Sequence, residues 1–437
     1  MYYSHKPMAK IRGAEALNFS SFKSESLRGR AGFFRVGQTA AGQWWLVDPH
    51  NQPFFAKAVA AVNPHGRAGP LPEHAGAYAQ AIWHAHGHED PSGFARAASQ
   101  RLRSWGMNTL GPWSEPALAE AGLYVTAIVD FRVAGVPVIR SPGVHLPDVF
   151  DPGWLAACDA QAAAAVAPWA GRTDFIGYYT GDAPGWGEPR ADRPSLLQIC
   201  LSLEPGFAAY HAAWEFVLAP HAGDLAALAR EWSIDLPNKE VIRQRTLAER
   251  PLTTAGYLRV QARFSRECAH RYFTATSAAL RRHDPDHLIL GCRFSQSPGE
   301  AVLAECVYPQ VDVVSWQCHA PDFESQVEIY AGATAMPLLL TAFGLSNERF
   351  RTAPFSAHSG PTRIERMLRD GRRALTAACA HPAVVGYEWA RWADESDEVP
   401  PFGAGLVHVD DREAIEHTEL VAQINARAEH VRTRAAK

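Results

Sequence analysis

Two apolar runs in this chain end where a barrel enzyme would carry its reacting groups. One is FIGYYTGDAPGWG, residues 175–187, and the other is MPLLLTAFG, residues 336–344. Each reads as a strand that opens into a short polar or Gly-rich loop. Other strand-like runs end in residues able to hold a polyhydroxylated ligand: Asn63 and His65, Trp113, Asp130 and Arg132, Arg293, Trp316 and His319, and Glu388 with Trp389, Arg391, Trp392 and Asp394. Indole faces pack on the C–H faces of a pyranose, while its hydroxyls need directional polar partners. Candidate sugar contacts are therefore Asn63, His65, Trp113, Asp182 and Trp186, together with Arg293, Trp316, His319, Trp389 and Trp392. For a single Trp, core packing is the commoner role; several at strand ends shift the balance toward a cleft.

The elements that must position these residues alternate. Strand-like runs fall at 54–62, 107–110, 123–131, 175–179, 288–294, 311–319, 337–343 and 383–389, with helical patterns between them. Eight strands with intervening helices predict an α/β chain folded as a (β/α)8 TIM barrel, whose site lies at the C-terminal ends of the strands. An open doubly wound sheet also alternates, but no GxGxxG follows the first strand. Before the barrel, an irregular arm and the runs GFFRVG and QWWLVDP predict an N-terminal β-hairpin, so that residues 1–52 precede a barrel spanning 53–437. Residues 188–255 read as a helical insertion after strand 4.

The chain resembles the β-agarase-like glycoside hydrolases of the retaining (β/α)8-barrel clan. The resemblance is carried by GQWWLVDPHNQPFFAKAVAAV, RLRSWGMNTLGPWS, FIGYYTGDAPGWG, LILGCRF, MPLLLTAFG and VVGYEWARWADES followed by GAGLVHVDDRE, in that order. It implies a retaining hydrolase of a β-linked oligosaccharide, with an exo mode if the insertion walls off one end of the cleft. Retention requires two carboxyls roughly 5–5.5 Å apart, one to protonate the leaving oxygen and one to bond to the sugar. Carried onto this chain, the acid/base slot is Ala183, preceded by Asp182 where the clan has Asn, and the nucleophile slot is Ala342. A methyl group can do neither job, so the chain as written is expected to be inactive. Two explanations compete, a Glu-to-Ala double variant and a natural pseudoenzyme that binds or senses carbohydrate. Alanine at both slots beside retained Arg293, Trp113 and Trp389 favours replacement, and codons 183 and 342 of the genomic reading frame separate the two. Asp182, Glu188 and Glu348 are the nearest substitute carboxylates; the last two lie beyond their strand ends.

A rival class is suggested by residues 83–90, WHAHGHED, since His-x-His can chelate a metal in barrel hydrolases. The pair comes some twenty residues after the first strand, which is the wrong context, and a polar loop at the cleft mouth is expected instead. Neither a metal nor an organic cofactor is implied. The net charge of −4 without a long basic run argues against nucleic acid as the partner. No apolar run is long enough to span a bilayer. Seven dispersed cysteines without a CxxC pair, and a start lacking the apolar segment of an export signal, predict a cytoplasmic protein with reduced thiols.

Overall fold

The computed structural model describes residues 19–66, 76–87, 91–345, 360–395, 398 and 403–435. Its first regular elements are antiparallel, β1 (Arg35–Gln38) against β2 (Trp44–Val47), with Gln38 opposite Trp44 across the tight connection. A third strand, β3 (Pro53–Phe54), adds to β2, so this small sheet continues past residue 52. The expected first barrel strand, 54–62, is thereby divided: Phe54 stays with the small sheet and β4 (Ala56–Val59) opens the main one. The division follows from packing, because the Phe54 ring meets Phe34 and Tyr124 edge-on at 5.3 and 5.1 Å. Phe34, Val36 and Leu46 bury against Ile176, Leu288, Val313, Leu339 and Val385, so the small sheet plugs the N-terminal end of the main sheet.

From β4 the chain alternates as its pattern predicts. Helices α1 (Ala77–His86) and α2 (Pro91–Ser104) lead to β5 (Thr109–Leu110) and then β6 (Tyr124–Ile128). A hairpin of β7 (Val138–Ser141) and β8 (Val144–Pro147) is inserted before α3 (Trp154–Val166) and β9 (Phe175–Tyr179). The short β10 (Gly185–Trp186) joins that hairpin in a separate three-stranded sheet. Then come α4 (Leu196–Cys200), α5 (Ala208–Leu218), α6 (Leu225–Trp232), α7 (Glu240–Leu247) and the long α8 (Ala255–His283), which Thr254 caps through its hydroxyl. The remaining order is β11 (Leu288–Ile289), α9 (Glu300–Leu303), β12 (Val314–His319), α10 (Phe323–Thr334), β13 (Leu338–Gly344), α11 (Gly360–Ala380), β14 (Val384–Trp389), α12 (Ile415–Asn425) and α13 (Ala428–Ala435).

The main sheet has eight strands in the order β11-β9-β6-β5-β4-β14-β13-β12, every neighbouring pair parallel. It curls until its end strands meet: Ile289 O accepts from the Asp312 and Val313 amides, and Phe294 bridges Trp316 in parallel. Helices cover the outside, burying the larger of two apolar clusters. Among the described residues no helix is long and apolar enough to cross a membrane.

One buried cation ties α13 to β2 and to the segment between α11 and β14. Arg432 of α13 is fully buried, and its guanidinium donates to the carbonyls of Cys379, His381, Trp44 and Pro382. It lies over the Trp45 ring at 4.6 Å and the Phe55 ring at 5.3 Å. Burial pulls its pKa down to about 9, and the carbonyl dipoles with the two aromatic faces offset that cost. Arg432→Met removes the shared donor from several buried carbonyls and is expected to cost about 3 kcal/mol in urea unfolding. A loss below about 1 kcal/mol would show that those carbonyls find other partners.

Candidate active site

Five non-glycine residues just beyond or within the C-terminal ends of the parallel strands adopt left-handed backbone. They are Ala61, Trp113, Ala183, Arg293 and Ala342, with φ of 57°, 62°, 49°, 51° and 45°. Such conformations are costly for residues with a Cβ and gather at functional sites. Ala61, Trp113, Arg293 and Ala342 line one cavity of about 580 Å³, together with Asp182, Gln317 and His319. Ala183 sits between Asp182 on this wall and Pro184 on the wall of a smaller neighbouring cavity.

The backbone at Ala342 is a bulge. On one side Leu340 and Phe343 pair with Tyr387 and Trp389 of β14; on the other, Thr341 and Gly344 pair with Gln317 and His319 of β12. Against both neighbours β13 therefore carries one residue more than its partner. A bulge beside a site re-aims one side chain, and here it turns position 342 into the cavity.

Beneath the cavity lies a buried ion pair. Arg293 Nη1 donates to Glu388 Oε1 at 2.7 Å, with both side chains essentially inaccessible. Tyr179 donates its hydroxyl to Glu388 Oε2 at 3.4 Å. Burial is the dominant influence on Glu388 and raises its pKa, while Arg293 and the Ala342 amide pull it back. The guanidinium packs over the Trp113 and Tyr179 rings, 5.3 and 5.2 Å from their centroids. Its Nε forms an ion pair with Asp182 Oδ1 at 3.2 Å, and that oxygen accepts a hydrogen bond from Gln317 Nε2 at 3.1 Å. Asp182 is thus held by Arg293 and remains one-third exposed toward the cavity. Gly111 admits this arrangement, since a Cβ there would stand 2.8 Å from Glu388 Oε2. At the mouth, desolvation holds His319 below the usual imidazole range, leaving the ring neutral at pH 7.

Several predicted contacts lie elsewhere. Asn63 and His65 do not line the cavity: Asn63 donates to the Trp113 carbonyl at 2.7 Å and accepts from the His65 amide at 2.9 Å, which fixes the turn after β4. Trp316, Trp389 and Trp392 are fully buried and pack outward toward the helices. Trp316 stacks on Tyr330 of α10 at 5.4 Å, Trp389 contacts His417 of α12 at 5.6 Å, and Trp392 contacts Trp105 at 5.6 Å. Trp186 stacks on Phe273 at 5.6 Å and lines the smaller cavity. Sequence reading overlooked Tyr179 and Gln317 and left Glu388 without a role. The alternation of β12 carries a signal for Gln317, which follows outward-packed Trp316 and so faces in.

The predicted polar loop at 83–90 is in part helical, with His84 and His86 in the last turn of α1. His88, Glu89, Asp90 and Glu348 lie outside the described residues. Among the described residues no three His, Cys, Asp or Glu side chains gather as a metal site.

The buried pair makes a direct prediction. Glu388→Leu leaves the buried guanidinium with only the partly exposed Asp182 as charge partner and is expected to cost about 3 kcal/mol. In the Arg293→Met, Glu388→Leu double variant the summed single losses should be undercut by at least about 2 kcal/mol, read by urea unfolding of all four proteins. Additive losses would show that the two charges are not coupled.

No protein-family model matches this chain. Curated relatives include β-agarase A of Vibrio sp. (strain JT0107), 22% identical over 319 residues that cover 68% of this chain and 31% of that protein. β-Agarase B of the same strain is 22% identical over 240 residues, 52% of this chain and 24% of that protein. The chain thus spans less than a third of the length of the curated relatives it matches. Among solved structures, an agarase superposes with a TM-score of 0.73 at 17% identity, covering 96% of this chain and 68% of its own. An exo-β-agarase gives 0.73 at 18% identity over 93% of this chain and 66% of its own. The β-galactosidase of the psychrophilic Marinomonas ef1 gives 0.53 at 15%, over 85% and 59%. At these identities the chain shares with the two agarases their α/β fold, built here on a curled sheet of eight parallel strands.

Proposed function

We propose that the sheet closes as a (β/α)8 barrel whose end cavity binds a β-linked oligosaccharide, on a scaffold built for retaining hydrolysis. In this reading position 183 is the acid/base slot and position 342 the nucleophile slot, and an exo mode goes with the elaborated loops after β9. The observation that carries it is the bulge at Ala342, a device for aiming a side chain into the cavity that here aims only a methyl group. A left-handed Ala183 at the other slot adds to it, since neither backbone conformation is one that alanine favours. The agarase names among the relatives support the sugar class.

The residues that remain can bind without turning over. Trp113 offers an aromatic wall, Asp182 and Gln317 offer polar groups, and His319 a neutral imidazole at the mouth. With no carboxyl at 183 or 342, neither slot can form a glycosyl ester or donate a proton to the glycosidic oxygen. Whether the alanines are natural or introduced, binding without hydrolysis is the property of this form. A reducing, cytoplasmic setting fits seven buried, unpaired thiols.

The A183E/A342E double variant is expected to hydrolyse β-linked oligosaccharides at least about 10⁴-fold faster than the chain as written. Product release followed by NMR should show the β-anomer forming first, as retention demands. A folded double variant with no turnover on a broad panel of β-linked oligosaccharides, or with an inverted first product, would overturn the assignment of the two slots.

A further inference from the structure

The smaller cavity, about 100 Å³, adjoins the main one through Ser295, which lines both. Its walls include Gly143 of the β7–β8 turn, Gly185 of β10, Gln296 and Ser297 after β11, and two arginines, Arg190 and Arg193. The two guanidiniums share one carboxylate: Asp192 Oδ1 lies 3.3 Å from Arg190 Nε and 3.6 Å from Arg193 Nε. Arg190 Nη1 makes only a long contact, 3.5 Å, to Gln296 Oε1. Arg193 Nη1 packs over the hairpin turn, 2.9 Å from where a Cβ on Gly143 would stand.

The adjoining sheet adds further positive charge. His145 pairs across the sheet with Gly185 on one side and Arg140 on the other. Its Nε2 faces Arg140 Nη1 at 2.7 Å and its Nδ1 faces Arg132 Nη1 at 3.1 Å. A neutral imidazole has one acceptor nitrogen, so it can satisfy only one of these two donors. Arg132 is neutralised by Asp130 through a two-point pair, whereas Arg140 has no carboxylate partner among the described residues. Glu188, the other acid of this cavity, is half-buried, and burial pushes its carboxyl upward. Arg190, Arg193 and Arg140 thus outnumber Asp192 and Glu188 on and around a concave surface that continues the sugar cavity.

We propose that this cavity is a subsite for an anionic substituent, a sulfate ester or a carboxylate, on the oligosaccharide held in the main cavity. Arg190 and Arg193 would grip the anion through their free Nη donors, and Arg140 would add long-range attraction. The proposal rests on the oligosaccharide reading above and narrows its substrate class to charged glycans.

Calorimetric titration of the chain with three β-linked hexasaccharides of one backbone tests it: neutral, O-sulfated and uronate-containing. At least one charged probe should bind about tenfold or more tightly than the neutral one in dilute buffer. That ratio should fall below about threefold in the R190Q/R193Q variant, whose melting curve should match the parent, and likewise in about 0.5 M NaCl. The better of the two charged probes identifies the source of the anion. Equal affinity for all three probes, or a preference that survives R190Q/R193Q, overturns the subsite and leaves the oligosaccharide reading standing. Failure of every probe to bind overturns both.

Discussion

A guanidinium and a carboxylate buried inside a sheet persist when each is the other's charge partner. Arg293 and Glu388 meet that condition, and much of the cavity follows from it. Tyr179 and the Ala342 amide must face Glu388, Trp113 and Tyr179 must flank the guanidinium, and residue 111 must lack a side chain. The pair also reaches the surface of the site, since Arg293 holds Asp182 in place from below. A polar floor of this kind presents hydrogen-bonding groups held by buried partners to the cavity above it.

Around that floor the backbone departs from regular strand at residues on or beside the cavity wall. Left-handed conformations at Ala61, Trp113, Ala183, Arg293 and Ala342 and the bulge in β13 cost free energy that ordinary strand ends would not. The opposite end of the sheet, plugged by β1–β3 and pinned by Arg432, is packed with apolar residues. Apolar packing is concentrated at one end of the strands and backbone strain at the other.

Sequence patterns made the order of strands and helices legible because it is a local property. Period-two apolar runs and turn residues each act within a few positions. The β7–β8 hairpin was missed although Pro142-Gly143 marks its turn, since its strands are short and only half-buried. Trp316, Trp389 and Trp392 were misassigned for another reason: an indole at a strand end suits a sugar site and a helix-covered core equally well, and residue type cannot say which face it occupies.

Face is what tertiary structure decided. Opposite Leu338 and Leu339 of β13 stand Val384 and Gly386, so β14 carries an extra residue at Val385. That single insertion reverses the alternation beyond it, sending Tyr387 and Trp389 out to the helices and Glu388 in to Arg293. The bulge in β13 likewise turns position 342 into the cavity. A bulge is fixed by hydrogen bonds to strands distant in sequence, so nothing local announces it. The amino-acid sequence by itself determined which elements form, in what order, and which residues stand at positions 183 and 342. Only the closing of those elements against one another decided which side chains meet, because a one-residue slip exchanges core for cavity.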